Sequence, residues 1–223
     1  MKIKHYSIFN GNYDHLNWSQ LRNTESEIHY YLPYSKEEYL QKVDVEFPTK
    51  VIQEIINFSK KNEIKKILSI GSGIAANEYC LKKFSEIPVV ITDYDKSILR
   101  LKNFNIFDDV LNLDALNDLL PVDNNTLVIF SRIDTEFDDA DLIKLFHSCQ
   151  SFGVPYIWFI PAELISLKIL LAELKIFLIS IIFNKKRLFC GYARSKKYFI
   201  KIWSNFYKIK TKLSNNSFIL INN

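Results

Sequence analysis

The chain has 223 residues, 48% of them hydrophobic, with 17 Phe and 12 Tyr, which suits one domain around a sizeable core. Five Gly and six Pro argue against long structureless loops. Cys80, Cys149 and Cys190 are far apart and form no C-x-x-C pair, so they read as small hydrophobes in a reducing compartment rather than as a disulfide framework. The formal net charge of +4 hides a split, because residues 184–212 hold ten Lys and Arg and no acid, leaving −6 for the remainder. A basic C-terminal part suits an anionic partner or, more plainly, a solvated surface. The histidines show no metal-ligand spacing, so no metal is expected. Met1-Lys-Ile-Lys-His-Tyr6 has no continuous apolar core, so no signal peptide is expected and a cytoplasmic protein is.

Residues 1–45 are aromatic and polar. Asn10-Gly11-Asn12 signals a turn, and Ser35 followed by Glu38 fits a helix-opening capping box. Residues 1–47 precede the first core strand and read as a cap or lid over a site, with edge packing as the plainer alternative. Pro48 to Asn62 predicts an amphipathic helix, with Val51, Ile52, Ile55, Ile56 and Phe58 at near-helical spacing. Ile67 to Ile70 reads as a buried strand that enters a glycine turn, Gly71-Ser72-Gly73, with a helix opening near Ala75. Glycine permits unusual φ/ψ and a close ligand approach, and the helix start offers unpaired N–H groups. Pro88 to Asp95 reads as a second strand, with Asp93 twenty residues after Gly73, where a nucleotide-binding βαβ unit places a carboxylate for ribose hydroxyls. Asp95 suits the N-cap of the following helix.

Phe107 to Ala115 is a short third strand or loop. Asn124 to Phe130 is a fourth strand, which opens into the polar loop Ser131–Asp139. A helix from Ala140 to Ser151 and a strand from Val154 to Ile160 follow. Such alternation predicts a parallel sheet covered on both faces, with ligands at the carboxyl ends of the strands. Gly71 to Ala75, Asp93, Asp114, Arg132, Asp134, Glu136 and Glu163 collect there. Leu164 to Phe183 is the most apolar stretch. Lys168, Glu173 and Lys175 interrupt it, and charge at mid-bilayer is costly, so a long helix packed on the sheet is expected instead of a membrane span. Because Lys185, Lys186 and Arg187 follow at once, residues 164–187 are also a candidate peripheral membrane or protein contact. Cys190 to Ser195 reads as extended, Ser195 to Phe206 as a helix, and Tyr207 to Ile221 as a closing hairpin.

The glycine turn, Asp93, Asp114-Ala115, the polar loop and the closing hairpin together resemble a class I S-adenosylmethionine-dependent methyltransferase, over about residues 48–222. The resemblance implies a Rossmann-like α/β fold: a doubly wound, mostly parallel seven-stranded sheet with a C-terminal antiparallel hairpin. It implies S-adenosylmethionine as cofactor, with Gly71 and Gly73 at its methionine portion, Asp93 at the ribose and Asp114 near the adenine amino group. Ser72, Tyr94, Ala115 and Ser131 complete the expected cofactor-binding set. Two positions depart from the family pattern. Ser69 stands where an acid is usual, and Ala75 stands where a third glycine is usual. The closing hairpin and the missing glycine argue against nicotinamide-dependent dehydrogenases.

For methyl transfer, the loop after the fourth strand supplies the candidate catalytic residues. Asp134 or Glu136 would act as base or bind the acceptor, and Arg132 would orient an anionic group; alternatively Arg132 and Asp134 pair and fix the loop. The N-terminal tyrosines and the basic run fit a small anionic acceptor, such as a phosphorylated small molecule or a nucleotide- or lipid-linked sugar. RNA is the lesser alternative, because Tyr198, Phe199, Trp203, Phe206 and Tyr207 read more simply as core. A non-catalytic scaffold of the same fold, with an apolar and basic interface, is the alternative from another class.

Overall fold

The computed structural model describes residues 1–9 and 13–223, so the turn expected at Asn10-Gly11-Asn12 lies outside the described residues. The N-terminal segment contributes β1 (Lys2–Ser7), α1 (Trp18–Asn23) and α2 (Lys36–Val43). The core follows as α3 (Lys50–Lys61), β2 (Lys66–Ile70), α4 (Ala76–Phe84), β3 (Val89–Asp93), a 3-10 helix (Lys96–Phe104), β4 (Asp109–Asn112), β5 (Thr126–Ser131), a 3-10 turn (Ile133–Thr135), α5 (Asp139–Ser151) and β6 (Tyr156–Ile160). The chain continues through α6 (Leu167–Ile182), β7 (Leu188–Arg194), α7 (Lys196–Trp203), β8 (Tyr207–Lys212) and β9 (Phe218–Asn222).

Side-chain caps fix several helix starts. Ser35 accepts from the Glu38 N–H, Asp95 from the Ser97 N–H, and Ser195 from the Tyr198 N–H. Asp138 and Asp141 form a reciprocal capping box that starts α5 at Asp139. The seven-stranded sheet has the order β4-β3-β2-β5-β6-β9-β8. Its first five strands are parallel, and β9 runs antiparallel to both β6 and β8. Near-continuous apolar runs make these strands, because both faces are covered. Alternate residues divide the core. Ile67, Leu127, Ile129 and Trp158 pack with α3 and α4, while Leu68, Val128, Phe130 and Phe159 pack with α5 and α7. The aromatics considered for RNA belong largely to this second core, with Phe199, Trp203 and Tyr207 buried. After β2 the chain winds out to β4 and returns to β5 on the other side of β2. The crevice at this switch point receives the glycine turn and the loop after β5.

One segment is extended as read but has a pairing that the sequence reading did not contain, and one departs from that reading. The extended segment near Cys190 is β7, which pairs antiparallel with β1 in a separate two-stranded sheet. The apolar stretch forms α6, but α6 has no buried residue and packs against β1 instead of being covered by the large sheet. Its inner face, with Ile169, Glu173, Ile176 and Ser180, is only half-buried, and its Glu173 is tied to His5 at 2.5 Å.

Candidate functional site

Local geometry at the glycine turn follows from what surrounds each glycine. Gly71 takes φ +68°, and a Cβ there would stand 2.3 Å from Ile133 Cγ2, so any side chain at this position would force Ile133 of the loop after β5 to move. Gly73 takes φ +60° with nothing within 4 Å of a built Cβ, so its backbone borders open space. Ala75 adopts the left-handed conformation, φ 55°, that a third glycine would take freely. It starts α4 without a side-chain cap, and the first N–H groups of such a helix have no intrahelical partner.

Asp93 ends β3 and is buried. Its Oδ2 accepts from the Gly73 N–H at 3.0 Å and from Arg22 Nη2 at 2.7 Å; its Oδ1 accepts from the Asp95 N–H at 2.9 Å. A carboxylate offers about four lone-pair sites, so roughly one stays open on Oδ1 while Arg22 is in place. Ser72 is buried, with its Oγ donating to the Thr92 carbonyl at 3.1 Å. Tyr94 is exposed, and Ala115 is buried. Asp114 accepts from the Leu116 N–H at 3.0 Å and from Asn117 Nδ2 at 2.8 Å, and the Asn117 bond is the main cause that lowers its pKa. Ser131 closes β5 in register with Ile160.

The loop after β5 separates its three candidate residues. Asp134 is fully buried, and its Oδ1 accepts from the Ala162 N–H at 2.8 Å. Burial pushes its pKa up to about 6, against hydrogen bonding and the Arg194 and Arg132 charges. Its Oδ2 has no hydrogen-bond partner among the described residues. Arg194, also buried, donates to the Asp134 and Phe137 carbonyls and to Asp139, so it locks the loop from the β7 side. Arg132 is exposed, in a left-handed conformation with φ 61°. Glu136 keeps exposed surface, but its carboxyl is crowded by protein. Crowding raises its pKa, the Trp18 hydrogen bond lowers it, and the nearby Asp93 charge raises it. Glu163 is half-buried just beyond β6.

A cavity of about 430 Å³ opens beside Glu136, between the N-terminal segment, the loop after β5 and β7; His15, Leu16, Trp18, Phe189 and Cys190 line it as well. Cys190 therefore sits in a pocket wall, whereas Cys80 and Cys149 pack in the core as expected. Among the described residues, no group of three or more His, Cys, Asp or Glu side chains could hold a metal ion.

Sequence reasoning missed His15, Trp18, Arg22 and Glu78. Glu78 lies in the first turn of α4, and its Oε1 accepts from Ser69 Oγ at 2.6 Å, so a carboxylate reaches the place where Ser69 stands for the usual acid. Burial raises the pKa of Glu78, and the Ser69 bond lowers it. The run Glu78-Tyr79-Cys80-Leu81 is buried in the fold, which its sequence alone does not mark. Arg22 stands 71 positions before Asp93 and carries no signal either.

No family model matches the chain, and no curated protein sequence does. Solved structures are similar to it. Human N-acetylserotonin methyltransferase, solved with S-adenosylmethionine, shows TM-score 0.54 and 16% identity over 84% of this chain and 56% of its own. The pyocyanin biosynthetic protein PhzM shows 0.61 and 14% over 92% of this chain and 61% of its own. Magnesium protoporphyrin IX methyltransferase from Synechocystis PCC 6803, solved with bound S-adenosylhomocysteine, shows 0.52 and 10% over 84% and 94% respectively. The chain thus spans less than two thirds of the first two proteins. The fold is that of the class I S-adenosylmethionine-dependent methyltransferases.

Proposed function

We propose that this chain is an S-adenosylmethionine-dependent methyltransferase whose small-molecule acceptor occupies the cavity beside Glu136. The observation that carries this reading is the bond from the Gly73 N–H to Asp93, which joins the glycine turn to the acid at the crevice of the fold. Gly71 and Gly73, with Ser72 behind them, would face the methionine portion of the cofactor. Asp93 and Tyr94 would hold the ribose, and Asp114, Ala115 and Ser131 would border the adenine side. Residues 1–47 act as the cap over this site, since Trp18 and Arg22 reach Glu136 and Asp93 from it.

The cofactor supplies a methyl group on a sulfonium, which an acceptor lone pair displaces in line. The chain must align the acceptor and, for a hydroxyl, take its proton. Glu136 is our candidate base, because its crowded carboxyl has a raised pKa and its surface is open to the cavity. Asp134, sealed and bonded to Ala162, would instead hold the loop that presents Glu136. Arg132, together with Lys186 and Arg187 in the cavity wall, would orient an anionic group on the acceptor. Trp18 and Phe189 offer ring surfaces, which suits a phosphorylated or nucleotide-linked sugar.

One observation favours a second reading, a non-catalytic scaffold: Arg22 already occupies the Asp93 carboxylate. Calorimetry separates the two. The methyltransferase reading expects S-adenosylmethionine binding that Asp93→Ala weakens by about tenfold or more, near 1.4 kcal/mol. It expects Glu136→Gln to retain binding and lower turnover by about a hundredfold once an acceptor is found. No binding to the wild-type chain at millimolar cofactor would leave the scaffold reading in possession.

A further inference from the structure

The helix α6 leaves its apolar residues to solvent. Leu167, Leu170, Leu171, Leu174, Leu178 and Ile181 are each at least 40% exposed; Leu171, Leu174, Leu178 and Ile181 recur at 3-4-3 spacing, and Leu167 and Leu170 fall on the same helical face. Lys168 and Lys175 are exposed along one edge of that face, and the exposed Lys185 stands three residues beyond the end of the helix. The segment's acid, Glu173, is turned away: its side chain is 16% exposed and bonded to His5 of β1. The charges accompanying the apolar face are thus cationic. Lys186 meets Asp14 at 3.0 Å, an exposed pair of little worth.

We propose that α6 docks this protein on an anionic lipid bilayer, lying in the interface with its leucine face among the acyl chains and its cations among the headgroups. At 16 residues the helix is about 24 Å long, short of the roughly 30 Å hydrocarbon core. No helix among the described residues is long and apolar enough to cross a membrane. The mode is therefore surface docking, with Lys168 and Lys175 extending their stems beside the apolar face toward the headgroups. A second copy of the chain is the poorer occupant, because two such faces would bring like charges together with no acid to offset them. Continuity with the candidate site adds weight. The chain leaves α6 and immediately builds the cavity wall from Lys186 to Gly191, so docking would hold that wall next to the interface.

The test is co-sedimentation with vesicles of phosphatidylcholine alone and of phosphatidylcholine with phosphatidylglycerol, using the full chain. Leu174 and Leu178 are 52% and 47% exposed, so a Leu174→Glu/Leu178→Glu variant should fold, which far-UV circular dichroism checks. We expect binding to the anionic vesicles that weakens as salt rises and falls by about tenfold or more in the double variant. We expect a smaller loss for Lys168→Gln/Lys175→Gln/Lys185→Gln. Equal partition to both vesicle types, or binding unchanged by the glutamates, would overturn the proposal. So would absent binding together with a dimer that the glutamates dissociate, which would assign the face to a second copy. The readout needs neither cofactor nor turnover, so it stands or falls apart from the methyltransferase reading.

Discussion

Asp134 and Arg22 show how much of the site rests on single buried charges. The pKa of Asp134 is raised to about 6 from the ordinary 3.8 by burial, so the folded chain keeps its proton across an interval in which the unfolded chain releases it. Its contribution therefore favours folding most below about pH 4 and declines as pH rises to about 6. The loss is at most about 3 kcal/mol, at 1.36 kcal/mol per pKa unit. Denaturant titrations from pH 4 to 7 should show this decline in wild type and a flatter difference curve in Asp134→Asn; parallel curves would show that Asp134 ionises normally. Arg22→Met keeps the apolar stem but leaves Asp93 without its cation, which should cost about 3 kcal/mol of stability. The same change frees an acceptor site on Asp93, so cofactor binding should tighten by about tenfold. Unchanged affinity in that variant would make Arg22 a structural tie alone. Neither role was legible in the sequence: nothing in its pattern says which acid is sealed, and the partner of Asp93 lies in a different segment.

The 3-10 turn Ile133–Thr135 is the element on which the candidate site depends, and two glycines hold it from opposite sides. Gly71 meets Ile133, and Gly191 of β7 takes φ +109° with a built Cβ only 1.7 Å from the Thr135 carbonyl oxygen. Gly191→Ala must move that backbone, and with it Glu136. We expect a cost of about 3 kcal/mol or more in thermal or chemical unfolding, with loss of turnover. Gly73→Ala meets open space and should cost only about 1–2 kcal/mol for its left-handed φ. Equal costs for the two would mean that β7 yields without disturbing the loop. The sequence marked Gly71 and Gly73 because they end a strand and precede a helix. Gly191 carried no such mark, since its neighbour is a non-local loop. The elements of the large sheet were legible for the opposite reason: their periodicity is local. The course of α6 was not, because an apolar helix reads alike whether it meets a sheet or solvent.

Across the whole molecule, the crevice between β2 and β5 lies at the switch point of the sheet, and Arg22 of the N-terminal segment reaches Asp93 at its edge. A ligand that binds only the folded chain stabilises it by mass action. S-adenosylmethionine at about a hundred times its Kd should add near 2.7 kcal/mol and raise Tm by roughly 5–10 °C. An unchanged Tm at millimolar cofactor would count against the proposed site as a whole. The basic run of residues 184–212 looks like one patch in the sequence, but the folded chain disperses it. Arg194 is buried against Asp139, Lys196 lies over Phe218, and Lys186 and Arg187 line the cavity.

By itself the sequence determined the order and type of the core elements, the parallel sheet with its closing hairpin, and the crevice where Gly71, Gly73 and Asp93 meet. Hydrophobic period, caps and glycine turns are short-range properties, and the handedness of βαβ connections carries them into a topology. Only the tertiary structure decided that β1 pairs with β7, that Arg22 holds Asp93, that the Glu78 carboxylate meets Ser69, and that α6 faces solvent. Each of these depends on which distant segment arrives at a given surface. That outcome is set by the packing of the whole chain, and no local pattern records it.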